Sequence, residues 1–226
     1  MRSYDASVWQ WRSRVIEALP PPVAARLRAL RGLPAAGRRR FIVPWLLGRL
    51  GADRPAPTSH APCVLFVCHG NIIRSALAEV LARRAAREAI VDISALSAGL
   101  NAIEGRPADP RAVAVARELG LSLTRHKARP VTADTVEYAD FVVVMDHSNE
   151  ASIVSRFPAA ARRVHLLLGP GIELTDPYPG TLDDVRLAAA TIDLGVRRLV
   201  RRIGRIQDER VSGESLQTTR SPRLRS

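Results

Sequence analysis

Val64-Leu65-Phe66-Val67-Cys68-His69-Gly70-Asn71-Ile72-Ile73-Arg74-Ser75 is the stretch on which the fold and the chemistry both turn. Its first four residues form a short unbroken apolar run, the pattern of a strand buried on both faces of a parallel sheet. Gly70 then permits a close backbone approach, and Asn71 tolerates a left-handed conformation. From Arg74 to about residue 89 the chain is rich in Ala, Leu, Glu and Arg and reads as a helix. A strand, a tight loop and a helix start in that order make a nest for a tetrahedral anion. The amides of residues 69–74 can turn inward, and the helix adds unpaired N–H groups and the positive end of its dipole. Amides aimed at a cysteine sulfur favour its anionic, nucleophilic form. The Arg74 guanidinium can fork onto two phosphate oxygens, which a lysine cannot do in that geometry. The Ser75 hydroxyl can donate to the sulfur. Cys68 is therefore the candidate nucleophile and Arg74 the candidate phosphate ligand. Alone, a Cys followed six residues later by Arg is a weak signal in so arginine-rich a chain, and its plainer reading is a structural Cys at a strand end.

Working outward, residues 91–95, 141–145 and 164–168 read as further strands, and residues 110–119, 148–156 and 181–203 as helices. Pro110 suits a first helical turn, and Gly120 ends that helix. In the last helix Leu182, Val185, Leu187, Ile192, Leu194, Val196 and Leu199 fall mostly on one broad face. Strands alternating with helices predict a three-layer α/β/α fold with a four-stranded parallel sheet and a phosphate-binding loop after its first strand. Ligands of such sheets lie at the carboxyl ends of the strands, where Cys68 falls. Asp176-Pro177-Tyr178-Pro179-Gly180 follows the fourth strand, on the same edge. An ester leaving group needs a proton, and Asp176 is placed to give it. Tyr178 can stack on an aromatic substituent. Taken alone, Asp-Pro here is a turn that ends a strand.

The 226 residues suit one domain with appendages and can bury a real core. Apolar residues make up 46% and aromatics 4%, so Ala, Val, Leu and Ile must fill that core. The formal net charge is +12, and Lys127 is the only lysine. Such a balance suits an anionic partner, or reflects codon bias alone. Nucleic acid is not the partner expected. Two cysteines, Cys63 and Cys68, make no disulfide framework and are too far apart along an extended strand to bridge, which points to a reducing, cytoplasmic location. No apolar run reaches the length of a membrane span, and MRSYDASVWQ does not look like a signal peptide. His60, His147 and His165 form no cluster, so neither a metal site nor a cofactor is expected.

Residues 1–60 differ in texture from residues 61–204. They hold Trp9, Trp11 and Trp45 and eleven arginines against Asp5, Glu17 and Asp53. Short helices are plausible at 5–18, 23–31 and 38–50. The last is basic with Trp, Phe and Leu, a composition for an anionic membrane surface. The alternative is that these helices pack on the main domain or on a protein partner. Residues 205–226 are polar and without apolar period, and read as a disordered tail.

Taken together, the loop 68–75, Ser97-Ala98-Gly99, Ala108-Asp109-Pro110-Arg111, His126-Lys127-Ala128-Arg129, Met145-Asp146 and Asp176-Pro177-Tyr178 resemble the low-molecular-weight protein tyrosine phosphatases in order and spacing across about residues 62–204. The resemblance implies metal-free phosphate ester hydrolysis through a cysteinyl-phosphate. Cys68 would be the nucleophile, Arg74 the phosphate ligand and Asp176 first the acid and then the base. His69, Gly70, Asn71, Ile72, Ile73, Arg74 and Ser75 would form the phosphate loop. Asn71, Ser75, Ser97 and His126 would support it, and Tyr178 and Ile103 would line the substrate crevice. Ile72 matches the tyrosine-specific type, whereas relatives acting on phosphoarginine usually carry Thr. The implied partner is a phosphotyrosine protein, with a bacterial tyrosine kinase of polysaccharide export as the nearest candidate. Three departures stand out. Ile73 replaces a second cysteine, which removes a reversible disulfide partner for Cys68. Ala76 replaces a common Pro, and Pro179 replaces a second Tyr of many eukaryotic members. His69 is unusual in the loop and reads as solvent-facing. Two competing functions are an arsenate reductase, which would need more cysteines after Cys68, and a phosphate-binding module without turnover.

Overall fold

The computed structural model describes residues 19–51 and 61–218, with side chains through residue 209. The helix expected at 5–18 and the linker expected at 52–59 lie outside the described residues.

β1 (Cys63–Cys68) is buried at every position. Val64 and Phe66 enter one apolar cluster and Leu65 and Val67 the other, so each face of the strand feeds its own half of the core. β2 (Ser94–Gly99), β3 (Phe141–Val144) and β4 (Val164–Leu166) complete a parallel sheet in the order β2-β1-β3-β4. The chain leaves β1 to one side for β2 and reaches β3 on the other. The carboxyl edge between β1 and β3 is thus the point where strand order reverses, the place where such sheets bind ligands.

Two N-terminal helices come first, α1 (Pro21–Ala29) and α2 (Ala35–Leu46). Then follow α3 (Arg74–Ala89), α4 (Pro110–Glu118), α5 (Ala133–Tyr138), α6 (His147–Arg156) and α7 (Leu182–Thr218). α3 and α7 pack together on one sheet face, with Leu77, Leu81, Val185, Ile192, Val196 and Val200 fully or almost fully buried. α6 covers the other face, and α1 and α2 lie on α6 as an outer layer. α2 approaches closely because Gly37 has no side chain: a Cβ there would run into the Ser155 hydroxyl. Phe41, fully buried, fills the space beside it. Burying such a ring stabilises by about 1.5–3 kcal/mol. Among the described residues no helix is long and apolar enough to cross a membrane.

Four features differ from the sequence expectations. β2 lies at Ser94–Gly99, not 91–95, because its register is set by pairing with β1, Cys63 opposite Ser94 and Cys68 opposite Gly99. Residues 205–218, expected as disordered, continue α7 as helix. Adding a turn to an existing helix needs no new nucleus, so a polar stretch without its own apolar face can extend one. Gln207 also anchors this part by donating to the Asp92 carbonyl at 2.9 Å. Leu187 and Leu194, placed on the apolar face of that helix by periodicity, are exposed. The short helix α5 was not expected; Thr132 and Thr135 cap it reciprocally.

Candidate active site

The loop after β1 is held from outside by its carbonyls. The Cys68 carbonyl accepts from Leu100 N–H and the His69 carbonyl from Asn101 N–H, both at 2.9 Å. The Ile72 carbonyl accepts from Asp109 N–H at 3.0 Å. The Asn71 carbonyl lies 2.7 Å from His126 Nε2, which must carry the proton because a carbonyl can only accept. In a trans peptide the carbonyl and the next N–H point in opposite directions. Four carbonyls drawn outward therefore turn the amides of His69, Gly70, Ile72 and Ile73 to the opposite, inner side. Ile73 occupies the N-cap position of α3 and has no side-chain acceptor, so it leaves the first-turn amides free for a ligand.

Asn71 makes this shape possible. Its φ is 55°, a conformation that asparagine adopts more readily than most residues. Its backbone N–H donates to Cys68 Sγ at 3.3 Å, and its side-chain amide donates to Ser75 Oγ and Ser97 Oγ, both at 2.9 Å. Its Oδ1 accepts from Arg129 N–H at 3.0 Å. Ser97 Oγ donates in turn to Glu79 Oε2 at 2.5 Å. The carboxylate accepts only, so proton directions follow along the chain: Ser97 gives to Glu79, Asn71 gives to both serines, and the Ser75 proton has two acceptors in reach, Cys68 Sγ at 3.0 Å and the Ala98 carbonyl at 3.3 Å. Gly99 completes the fit, since a Cβ there would come within 2.9 Å of the Asn71 nitrogen and the Gly70 carbonyl carbon.

Arg74 is almost fully buried, and its fork spans two carboxylates. Nη1 donates to Asp146 Oδ2 at 2.6 Å and to the Leu174 carbonyl at 3.2 Å; Nη2 donates to Asp176 Oδ2 at 2.8 Å. Asp146 follows β3 and caps α6, accepting from Asn149 N–H. The loop carrying Asp176 is tied down by Arg111. That side chain reaches the carbonyls of Tyr178 and Gly180, and its guanidinium lies 6.0 Å from the Tyr178 ring centre. The hydrogen bonds and charge of Arg111 hold the Asp109 carboxyl below the usual carboxylate range, against a smaller opposing effect of burial.

Cys68, His69, Gly70, Ile72, Ile73, Arg74, Asp176, Tyr178 and Ile103 all line one cavity of about 240 Å³, with Asn101 and Arg106 at its wall. Ser75, Ser97, Asn71 and His126 sit behind it. Tyr178 and Ile103 are exposed at its mouth, and His69 is exposed. Sequence reasoning missed Glu79 and Asp146 as site residues. Glu79 lies one helical turn beyond Ser75, on the same face of α3, which was the available signal. Asp146 follows the third strand, on the edge that already held Cys68. Cys63 is at the opposite end of β1; burial and the nearby Asp140 charge push its thiol up to about 11. Among the described residues no group of His, Cys, Asp and Glu is arranged to hold a metal ion.

The sequence model of the "Low molecular weight phosphotyrosine protein phosphatase" family matches residues 63–210. A probable low molecular weight protein-tyrosine-phosphatase EpsP of Ralstonia nicotianae is 37% identical over 142 residues, 62% of this chain and 94% of that protein. A protein-arginine-phosphatase of Bacillus subtilis is 29% identical over 144 residues, 62% of this chain and 95% of that protein. Among solved structures, a low molecular weight protein tyrosine phosphatase from T. tengcongensis superposes with a TM-score of 0.60 at 31% identity, over 63% of this chain and 99% of that one. The chain belongs to the low molecular weight phosphotyrosine protein phosphatase family.

Proposed function

We propose that the chain hydrolyses the aryl phosphate of phosphotyrosine in a protein, with Cys68 as nucleophile. The carrying observation is the set of four outward-held carbonyls, which turns the loop amides toward one point beside the sulfur. In this reading the phosphate dianion binds that nest and the Arg74 fork, displacing the Asp176 carboxylate toward the leaving oxygen. Sγ attacks phosphorus in line, the P–O bond to the phenol breaks, and Asp176 protonates the departing oxygen. Asp176 then takes a proton from water as the water attacks the cysteinyl-phosphate, releasing inorganic phosphate and the thiolate. Ser75 donates to that thiolate, and Asn71, Ser97, Glu79 and His126 keep the loop from reorganising between steps.

Relatives acting on phosphoarginine make arginine the second substrate to weigh. Ile72, Ile103 and Tyr178 offer apolar and aromatic walls that suit a phenyl ring. The same cavity contains one carboxylate, Asp176, against Arg74 and Arg106, a poor match for a guanidinium. Turnover of a phosphotyrosyl peptide in preference to a phosphoarginyl peptide is expected; the reverse preference refutes the tyrosine reading. The substrate protein we favour is a bacterial tyrosine kinase of polysaccharide export, and loss of its phosphotyrosine on incubation with this protein is the check. Residues 19–51 contain seven arginines and no acid, with Val43, Leu46 and Leu47 exposed. That surface supports a cytoplasmic enzyme held at an anionic membrane, tested by co-sedimentation with vesicles containing phosphatidylglycerol.

A further inference from the structure

The N-terminal segment meets the first turn of α6, beside the catalytic machinery, through a largely buried ion pair. Arg26 on α1 donates from Nε and Nη2 to the two oxygens of Glu150, at 3.0 and 3.1 Å. Glu150 lies on the first turn of α6 and is 2% exposed. It also holds the fully buried His147, whose Nδ1 donates to Oε2 at 2.7 Å. His147 Nε2 has no partner among the described residues, so Glu150 is the only polar anchor of that ring. The Arg26 guanidinium also lies 5.8 Å from the Trp45 ring centre, which ties α1 to the end of α2.

The first turn of α6 is where the two halves of the active site meet. Its cap, Asp146, holds Arg74 Nη1. The His147 N–H donates to Glu173 Oε1 at 2.9 Å, and Leu174 N–H donates to the Met145 carbonyl at 2.8 Å. Glu173 and Leu174 begin the loop that carries Asp176, and the Leu174 carbonyl receives Arg74. Moving this turn moves both the partner that aims Arg74 and the loop that carries Asp176. Glu150 without Arg26 is a buried carboxylate that has lost its full cationic partner, one turn from Asp146. Arg26 lies outside residues 63–210, where the family sequence model matches.

We infer that Arg26 is a positioning residue for phosphate binding: by neutralising Glu150 it holds the first turn of α6 where Asp146 and the 173–176 loop aim Arg74. The inference rests on the phosphatase reading above. The test uses the full chain. Inorganic phosphate binding is measured by titration calorimetry, p-nitrophenyl phosphate turnover by steady-state kinetics, and folding by circular dichroism at the assay temperature. Folded Arg26→Met is expected to bind phosphate roughly tenfold more weakly and to lose kcat/KM by a similar factor. The double variant Arg26→Met/Glu150→Gln is expected to recover most of both, because the unpaired charge is gone. Arg28→Met, an exposed neighbour on α1, should match wild type. A folded Arg26→Met with unchanged phosphate affinity overturns the inference, whatever its Tm. A folded double variant that shows no recovery overturns it equally. If Arg26→Met does not fold, Arg26→Gln removes the charge and keeps a donor for Glu150; wild-type phosphate affinity in that folded variant overturns the inference. A wild-type protein that binds phosphate without turning over the ester counts against the proposed function, and the calorimetry still decides the role of Arg26.

Discussion

The loop at residues 68–75 and the N-terminal segment at 19–51 are fixed to the same sheet and helices by contrasting means. In the loop the carbonyls and supporting side chains have partners in place, which leaves the inward amides for a ligand: four carbonyls bound outward, Asn71 satisfied on all sides, Ser97 locked to Glu79. The segment is held mainly by packing, with Leu30 and Phe41 buried in one apolar cluster and Gly37 close against Ser155, and by long side chains, Arg26 on Glu150 and Arg40 on the Ser155 carbonyl, while its outer face leaves Val43, Leu46 and Leu47 exposed. The difference teaches where rigidity is needed. A loop that stabilises a transition state must have its donors aimed before the charge develops, so that no reorganisation is needed during the step. A segment that only biases the position of one helix turn needs no more than a firm contact on that turn.

The largest expected effect separates the loop from everything else. Cys68→Ser should lower p-nitrophenyl phosphate turnover by at least about a thousandfold with the fold intact, since removing a nucleophile leaves only binding and orientation. Retained turnover in that variant would falsify the cysteinyl-phosphate route. Asp176→Asn should cost about 10²–10⁴ in kcat with an aryl ester, the usual contribution of one acid–base group. The loss should shrink for esters of more acidic phenols, whose leaving groups need the proton less; an equal loss across the series argues against the acid role. Phe41→Ala probes the segment. It should destabilise by about 3–5 kcal/mol if the segment unfolds together with the domain. A separate early melting step of that variant in calorimetry would show instead that the segment lets go by itself.

A subtler contrast is in pH. Burial favours the neutral form of Glu150, but its hydrogen bonds to His147 and Arg26 and their charge outweigh this and hold its carboxyl below the usual range. A depressed carboxylate contributes stability that is present above its unfolded pKa and lost as pH falls through the folded value. The stability gap between wild type and Glu150→Gln should therefore be widest near neutrality and close below the ordinary carboxylate range; denaturant melts at stepped pH measure it. A gap that is constant with pH breaks the claim that charge holds the segment. The smallest effect concerns redox. Cys63 and Cys68 end opposite sides of a six-residue strand, roughly 16 Å apart at 3.3 Å per residue. Mild peroxide should therefore oxidise Cys68 without forming an internal disulfide, read by intact mass.

Much of the site was legible from local pattern because it is local. The apolar run 64–67, Gly70, Asn71 and the helix start at Arg74 all act within a dozen residues, where periodicity and φ preference decide conformation. Asp176 was placed on the correct edge because parallel sheets put every strand end on one side. The shift of β2 was not legible, since Ser94–Gly99 has little apolar signal and its extent is set by pairing with β1. The helical stretch 205–218 was missed because its propensity shows only as a continuation of α7.

By itself the sequence determined the strand-loop-helix nest, the residue types in it and the order of the motifs along the chain, because short-range sterics and hydrogen bonding govern those. Only the tertiary structure decided that Asp146 and Asp176 share Arg74, that Glu79 orients Ser97, and that Arg26 from a segment outside the family's match grips the helix turn carrying Asp146. Those contacts join residues far apart in sequence, and spacing has no term for which buried charge meets which.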